Sequence, residues 1–162
     1  MVRYVFFSFH YERDIWRASR VRNSWVTKDR ESIGFVDAAS WEAIKKQDDD
    51  AIKRWIDNQL DGTSVTVVLI GKETSERQWV DYEIDQSRKK GKGLLGIYIH
   101  NMKDQDGQTD TKGTNPFDLW YTTMNEQKVY FSKLYETYDW VNDDGYHKID
   151  DWIEQAAQKA GR

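Results

Sequence analysis

The sequence predicts an α/β fold in which a parallel β-sheet is covered by helices on both faces. Four short apolar runs, rich in β-branched and aromatic residues, recur along the chain, and amphipathic stretches separate them. These runs are apolar on both alternating faces, which is typical of strands buried between two layers of helices. Alternation of strands with helices implies right-handed crossovers and therefore a parallel sheet.

The four predicted strands are the apolar runs at residues 4–9, 33–36, 65–70 and 94–99. A fifth strand is expected somewhere between residues 128 and 141. The stretch 101–116 interrupts the alternation because it is polar and contains two glycines and the only proline of the chain. We interpret it as a long surface loop.

Four amphipathic stretches predict the helices. Apolar residues follow helical spacing over residues 15–26 and 52–60, and a one-sided apolar stripe covers residues 149–160. A further helix is predicted to begin at Ser75, where Ser75-Glu76-Arg77-Gln78 has the pattern of a capping box, and to run to about Lys90.

Composition restricts the class of protein. The length of 162 residues suits one domain, which we expect to span residues 1–162. An aromatic content of 14% with 8 Trp indicates a folded globule. The net charge of −4 argues against nucleic acid as a partner, because phosphate binding depends on clustered Lys and Arg. Without cysteine, disulfides and thiolate chemistry are excluded.

Location and cofactors can be addressed in the same way. The beginning of the chain lacks the pattern of a signal peptide, and its apolar runs are too short to span a bilayer. We therefore expect a soluble cytoplasmic protein with no membrane partner. The three histidines lack metal-ligand spacing and no Gly-x-Gly-x-x-Gly follows a strand, so neither a metal nor a Rossmann-bound cofactor is expected.

Short motifs over nearly the whole chain resemble the TIR domain family. The run Val5-Phe6-Phe7-Ser8-Phe9 is similar to the aromatic first strand of TIR domains. Val68-Leu69-Ile70-Gly71 is similar to their third strand, and Trp79 and Glu83 form the Trp-x-x-x-Glu of the following helix. Gly113-Thr-Asn-Pro-Phe and Tyr138-Asp-Trp-Val-Asn-Asp-Asp-Gly-Tyr resemble the TIR proteins of Thoeris anti-phage systems.

The resemblance implies a flavodoxin-like TIR fold with a five-stranded parallel sheet in the order 2-1-3-4-5. It also implies an enzyme that cleaves the nicotinamide–ribose bond of NAD, as an NAD glycohydrolase or ADP-ribosyl cyclase with NAD as substrate and no cofactor. In Thoeris defence such a protein makes a cyclic ADP-ribose isomer that reaches an effector protein. A phage-derived trigger and self-association on activation are implied as well.

Glu83 is the expected catalytic residue. It lies four residues after Trp79, on the same face of the predicted helix and at the border of its buried stripe. A carboxylate there could stabilise the oxocarbenium-like ribose that forms when nicotinamide leaves, and Trp79 could stack on the nicotinamide ring. Alternatively, Trp79 fills a groove and Glu83 pairs with a nearby Arg or Lys.

Other residues are expected to bind the substrate. Ser8, Phe9 and His10 end the first strand, where such folds bind ligands; Ser8 or His10 could hold phosphate or ribose hydroxyls. Phe9 is either a wall of the pocket or ordinary core packing. Further candidates lie on segments expected to border the site: Asp37, Trp41 and Tyr82. Trp41 is either a clamp over adenine or an anchor of its loop.

Two other functions compete with the enzyme. A non-catalytic TIR adaptor would act through protein–protein contacts, and Glu83 would then be dispensable. A phosphoacceptor receiver shares the 2-1-3-4-5 sheet but needs an Asp at the end of the third strand. The third strand here ends in Ile70-Gly71, which argues against a receiver.

Overall fold

The computed structural model describes residues 3–26, 31–33 and 43–162, and only the backbone of residues 31–33. In chain order, the elements used below are β1 (Tyr4–Ser8), α1 (Tyr11–Val26), β2 (Glu31–Ile33), α2 (Asp49–Leu60), β3 (Val65–Ile70), α3 (Gln78–Lys89), β4 (Gly93–Tyr98), β5 (Tyr121–Met124), β6 (Gln127–Tyr130), α4 (Phe131–Leu134), β7 (Thr137–Asp139) and α5 (Gly145–Lys159). Single turns of 3₁₀ helix lie at Thr74–Glu76 and Pro116–Asp118.

The strands form a parallel sheet in the order β2-β1-β3-β4-β7. The pairing of β1 with β3 places Ser8 opposite Val68, so the carboxyl ends of these two strands are neighbours. The predicted α/β fold with a parallel sheet is therefore confirmed. The strand expected between residues 128 and 141 is β7, at Thr137–Asp139. The strand expected at residues 33–36 begins earlier, since β2 is Glu31–Ile33 and residues 34–36 lie outside the described residues.

Helices cover both faces of the sheet. On one face, α1 and α5 pack on Val5 and Phe7 of β1 together with the odd-numbered residues of β3 and β4. On the other face, α3 packs on Val68 and Ile70, and α2 packs on Phe6. Consecutive side chains of β1 thus enter different layers, as the pleat of a strand requires.

The predicted capping box at Ser75 is wrong. The Thr74 hydroxyl accepts a hydrogen bond from the backbone N–H of Gly71 at 2.7 Å, and a 3₁₀ turn follows at Thr74–Glu76, where the backbone N–H of Arg77 donates to the Thr74 carbonyl oxygen. The α-helix begins only at Gln78, and Arg77 is its N-cap without a side-chain hydrogen bond. The periodic helices α1, α2 and α5 begin and end close to the predicted bounds.

The polar stretch 101–116 contains no strand or α-helix, as predicted, but it is anchored to the domain. The Arg17 guanidinium, on α1, donates to the carbonyl oxygens of Met102 at 2.7 Å and Gln108 at 2.9 Å. A hairpin of β5 and β6 follows the stretch and was not predicted. Within the described residues, no helix is long and apolar enough to cross a membrane.

Candidate active site

Glu83 lies in the crevice next to the carboxyl ends of β1 and β3. Its helix, α3, follows β3 after one 3₁₀ turn, and only 7% of the residue is exposed. The strand order runs in opposite directions from this point, with β1 leading to β2 on one side and β3 leading to β4 on the other. Crevices of this kind are the usual ligand sites of open parallel sheets.

The backbone of Glu83 is fastened to the sheet. Val80, Ile84 and Ser87 form the buried stripe of α3 together with Glu83. The Ser87 hydroxyl donates to the carbonyl oxygen of Glu83 at 2.6 Å and lies 2.7 Å from the Thr66 hydroxyl of β3. The predicted border position of Glu83 is therefore a buried one, because this contact draws α3 close to β3.

Burial raises the pKa of the Glu83 carboxyl well above its ordinary value. The Ser8 hydroxyl lies beside the carboxyl and opposes this effect in part. Among the described residues, no Arg or Lys forms an ion pair with Glu83, so the alternative of a simple salt bridge finds no support there. Within the described residues, Glu83 is thus a buried acid without a cationic partner.

Ser8 and Phe9 enter opposite layers of the fold. The Ser8 residue is fully buried, and its Oγ has no well-aligned hydrogen-bond partner among the described residues. Its hydroxyl is therefore available to the Glu83 carboxyl beside it. Phe9 belongs to the core cluster on the other face and stacks on Tyr11 with ring centroids 5.6 Å apart. Ordinary packing accounts for these contacts of Phe9, and its role as a pocket wall stays a prediction.

His10 lies at the beginning of α1 and is 6% exposed. Its Nδ1 accepts a hydrogen bond from the backbone N–H of Arg13 at 3.4 Å. Burial lowers the pKa of His10, and nearby Arg77 lowers it further against the opposing effect of Glu73. The imidazole is therefore neutral at neutral pH, with its proton on Nε2, and it could donate to a phosphate or ribose oxygen but not act as a cation.

Arg77 is a candidate that the sequence analysis missed. As the N-cap of α3 it stands where backbone N–H groups and the helix dipole favour an anion, and its charge acts on His10. The sequence pattern assigned Arg77 to a capping box and therefore did not indicate a binding role for it. Asp14 on α1 was missed as well: it is 1% exposed, lies against Gly71 and has its pKa raised to about 6, mainly by burial.

Trp79 and Tyr82 turn toward α2. Trp79 is partly buried against the cluster formed by Phe6 and the apolar stripe of α2, and it meets Tyr82 edge to face at 6.1 Å. The Tyr82 hydroxyl donates to the Asp57 carboxylate at 3.0 Å. These contacts agree with the alternative in which Trp79 fills a groove. Stacking of Trp79 on a substrate stays a prediction. Asp37 and Trp41 lie outside the described residues.

The described residues contain no group of three or more His, Asp or Glu side chains arranged to hold a metal ion. What the crevice does contain is a buried acid, a buried hydroxyl beside it, a neutral imidazole and an arginine at a helix N-terminus. Such a set suits a substrate that brings its own positive charge together with phosphate and hydroxyl groups.

Fold and site together define a doubly wound α/β domain whose ligand crevice is centred on a carboxyl group. Residues 6–104 match the family described as "Thoeris protein ThsB, TIR-like domain". The chain is 40% identical over 191 residues to "Putative cyclic ADP-D-ribose synthase ThsB1" of Bacillus cereus (strain MSX-D12), an alignment that covers 94% of this chain and 100% of the relative. The chain belongs to the Thoeris ThsB family of TIR-like domains, and the resemblance noted from its motifs is confirmed.

Proposed function

We propose that this protein is the NAD-consuming enzyme of a Thoeris anti-phage system. It cleaves the nicotinamide–ribose bond of NAD and forms a cyclic ADP-ribose isomer, which serves as a diffusible messenger for a separate effector protein. The printed name of the relative, a cyclic ADP-D-ribose synthase, supports the product class. NAD is the substrate, and no further cofactor is needed. The single observation that carries the proposal is the buried Glu83 carboxyl at the switch point, which has no ion-pairing Arg or Lys among the described residues.

The state of Glu83 suits this chemistry. A carboxyl buried without a counter-charge resists ionisation. NAD supplies the missing charge, because its nicotinamide ring is a pyridinium cation, and a cation placed nearby lowers the pKa of an acid. The ionised Glu83 then stabilises the positive charge that develops on the ribose as nicotinamide departs. The leaving group departs as a neutral molecule, so it needs no general acid.

The residues around Glu83 have supporting roles. The Ser8 hydroxyl orients the carboxylate or bonds to a ribose hydroxyl, the His10 Nε2–H donates to the ribose or phosphate, and Arg77 pairs with the pyrophosphate. Cyclisation requires that water be excluded from the ribosyl cation, since water would otherwise give linear ADP-ribose. Trp41, which lies outside the described residues, stays a candidate clamp over adenine.

The proposal extends to regulation. The enzyme works in the cytoplasm, responds to a phage-derived trigger and self-associates when it is activated. An assay of the isolated protein therefore has two arms, with and without lysate of phage-infected cells. Mass spectrometry distinguishes the products, because the cyclic isomer is lighter than ADP-ribose by one water.

The decisive comparison is between wild type, Glu83→Gln and Glu76→Gln. Glu76 is an exposed glutamate of the 3₁₀ turn before α3, and its substitution controls for the loss of one acidic charge. We expect wild type and Glu76→Gln to make the cyclic isomer and Glu83→Gln to leave NAD unconsumed. If NAD stays intact with wild type in both arms while Glu83→Gln still protects cells from phage, the protein is an adaptor. Linear ADP-ribose alone would indicate a plain NAD glycohydrolase.

A further inference from the structure

A cavity of about 460 Å³ lies at the edge of the sheet opposite to the candidate active site. Ser8 and Glu83 are at the carboxyl ends of the strands, whereas this cavity opens between the beginning of β4, the residues that precede β7, and the last turn of α5. Its volume lies within the usual range for small-ligand sites.

Part of the cavity lining is apolar. Leu94 and Leu95 of β4 and Leu134 of α4 contribute aliphatic surface. Tyr138 and Trp152 contribute aromatic surface, and their rings stack at 4.1 Å with planes 3° apart, which holds both in place. A flat apolar group could lie against this part of the lining and lose its contact with water.

Another part of the lining is cationic. Arg88, Lys92 and Lys159 line it, against one acidic residue, Glu136. Lys92 donates its ammonium group to the carbonyl oxygen of Thr63. Lys159 donates to the Leu134 carbonyl at 2.7 Å.

Arg88 lies 5.1 Å above the Phe131 ring, and its guanidinium donates to the Tyr135 hydroxyl. Neutral groups thus hold all three cations of the cavity. In the part of the chain that the structure describes, none of them forms an ion pair with a carboxylate.

The surroundings of Lys92 show that this positive charge is uncompensated. Lys92 is 5% exposed, and burial lowers the pKa of its ammonium group to about 8. The nearby charges of Arg162 and Lys90 contribute to this lowering of the pKa, and Asp61 opposes it. An anion in the cavity would relieve this repulsion and hold Lys92 in its charged form.

We propose that this cavity binds a small organic anion with a flat apolar body, whose negative charge is held by Arg88, Lys92 and Lys159. Arg88 can bond to a phosphate, sulfonate or carboxylate through two parallel N–H groups, and the ammonium groups keep protons free for a second contact. The ring of the ligand lies on Leu95, Tyr138 and Trp152, which belong to one layer of the fold. The binding site is separate from Glu83 and does not depend on the proposed function.

Titration of the full chain with two anions of this shape tests the proposal. Anilinonaphthalene sulfonate is followed by its fluorescence and AMP by calorimetry, so that a nucleotide source and a non-nucleotide source are distinguished. Inorganic phosphate and adenosine, each carrying half of the required chemistry, serve as references. We expect saturable binding of at least one anion and much weaker binding of both references.

Variants locate the binding. Arg88→Gln and Lys92→Met should each lower the affinity for the anion by about tenfold or more, the scale of a lost charged hydrogen bond. Lys89→Gln removes an exposed charge one residue from Arg88, outside the cavity, and should change nothing. Gln155→Trp fills the cavity from an exposed lining position and should abolish binding even if the charge variants fold poorly.

Three results would overturn the proposal. One is that neither anion shows saturable binding to wild type, or that the anions bind all cavity variants with the affinity that they have for wild type. Binding could instead fall in Glu83→Gln while the cavity variants keep it, which would assign the ligand to the candidate active site. Finally, the cavity variants could alter only the sedimentation of the protein, which would make this surface a contact between protein chains.

Discussion

Replacement of Glu83 by Gln should have two opposite effects, a loss of activity and a gain of stability. Gln keeps the shape and most of the hydrogen bonding of the side chain but cannot carry a charge. If the carboxylate stabilises the ribosyl cation, NAD turnover should fall by about a hundredfold or more, the scale on which one preorganised electrostatic group acts.

The gain of stability follows from the raised pKa of Glu83. The folded protein holds the Glu83 proton more tightly than the unfolded chain, whose carboxyl has the ordinary pKa of 4.5. The stabilising effect of that proton is complete below the unfolded pKa, and it is lost as the pH rises toward the folded pKa. Gln has no proton to lose, so the variant should match wild type in acid and become increasingly more stable than wild type as the pH rises.

The size of the effect can be bounded. Between the unfolded and the folded pKa, each pH unit removes about 1.4 kcal/mol of wild-type stability. A change of about 1 kcal/mol moves Tm by roughly 2–4 °C in a chain of this length. Glu83→Gln should therefore unfold above wild type, by roughly 3–6 °C more for each pH unit between the unfolded and the folded pKa.

Thermal unfolding followed by calorimetry between mildly acidic and mildly alkaline pH measures this difference, with Glu76→Gln as the control that has an exposed carboxyl. Coincident Tm profiles of Glu83→Gln and wild type would refute the reasoning, because they would mean that a partner compensates the Glu83 charge in solution. Turnover of NAD within a few-fold of wild type would separately remove Glu83 from the mechanism.

Three further predictions concern the surroundings of the site. Trp79→Ala should lower the free energy of unfolding in urea by roughly 2–3 kcal/mol because the ring packs on the α2 cluster. Trp79→Phe should restore part of this stability, and unchanged stability in Trp79→Ala would show that the ring does not pack there. Asp14→Asn should gain about 3 kcal/mol relative to wild type between a pH below 3.8 and a pH above about 6, since burial raises the folded pKa of Asp14 to about 6 from 3.8 and the wild type loses stability through that interval; parallel pH profiles in urea would contradict this. Gly113→Ala should lower stability by about 1–3 kcal/mol, because a Cβ there would lie 2.1 Å from the Gly71 carbonyl oxygen. The control Thr114→Ala, at an exposed position, should stay within about 0.5 kcal/mol of wild type, and equal Tm values for the two variants would show that the loop accommodates the Cβ without loss of stability.

The fold could be predicted to the extent that its signals are local. The stripes of α1 and α5 repeat with helical spacing and face the core, so that the sequence pattern and the burial agree. The hairpin of β5 and β6 has no such signal, since its strands are mostly exposed and Asn125 and Glu126 form its turn, both with positive φ. The predicted beginning of α3 at Ser75 was wrong, because the hydroxyl that accepts a hydrogen bond from a backbone N–H there belongs to Thr74 and not to Ser75.

The site could be predicted only in part. Spacing placed Trp79 and Glu83 on one face of α3, but α3 packs on the sheet and, beside it, on α2, so a small rotation around the helix separates their surroundings. Glu83 faces Ser8 whereas Trp79 faces the α2 cluster. Arg77 lowers the pKa of His10 although the two residues lie 67 positions apart in the sequence. No periodic pattern could indicate such a contact.

The absence of a cation beside Glu83, within the described residues, bears most directly on the choice between enzyme and adaptor. A surface that acts by protein–protein contacts gains nothing from burying an acid that resists ionisation, and a hydrophobic residue in its place would add stability. An enzyme for NAD does gain, since the substrate supplies a cation whose charge is then transferred to the ribose. Under the proposed function, the proton of Glu83 should leave when NAD binds, and the carboxylate should face the growing positive charge without water to screen it. The destabilising burial of Glu83 is therefore what the enzyme proposal requires and what the adaptor leaves unexplained.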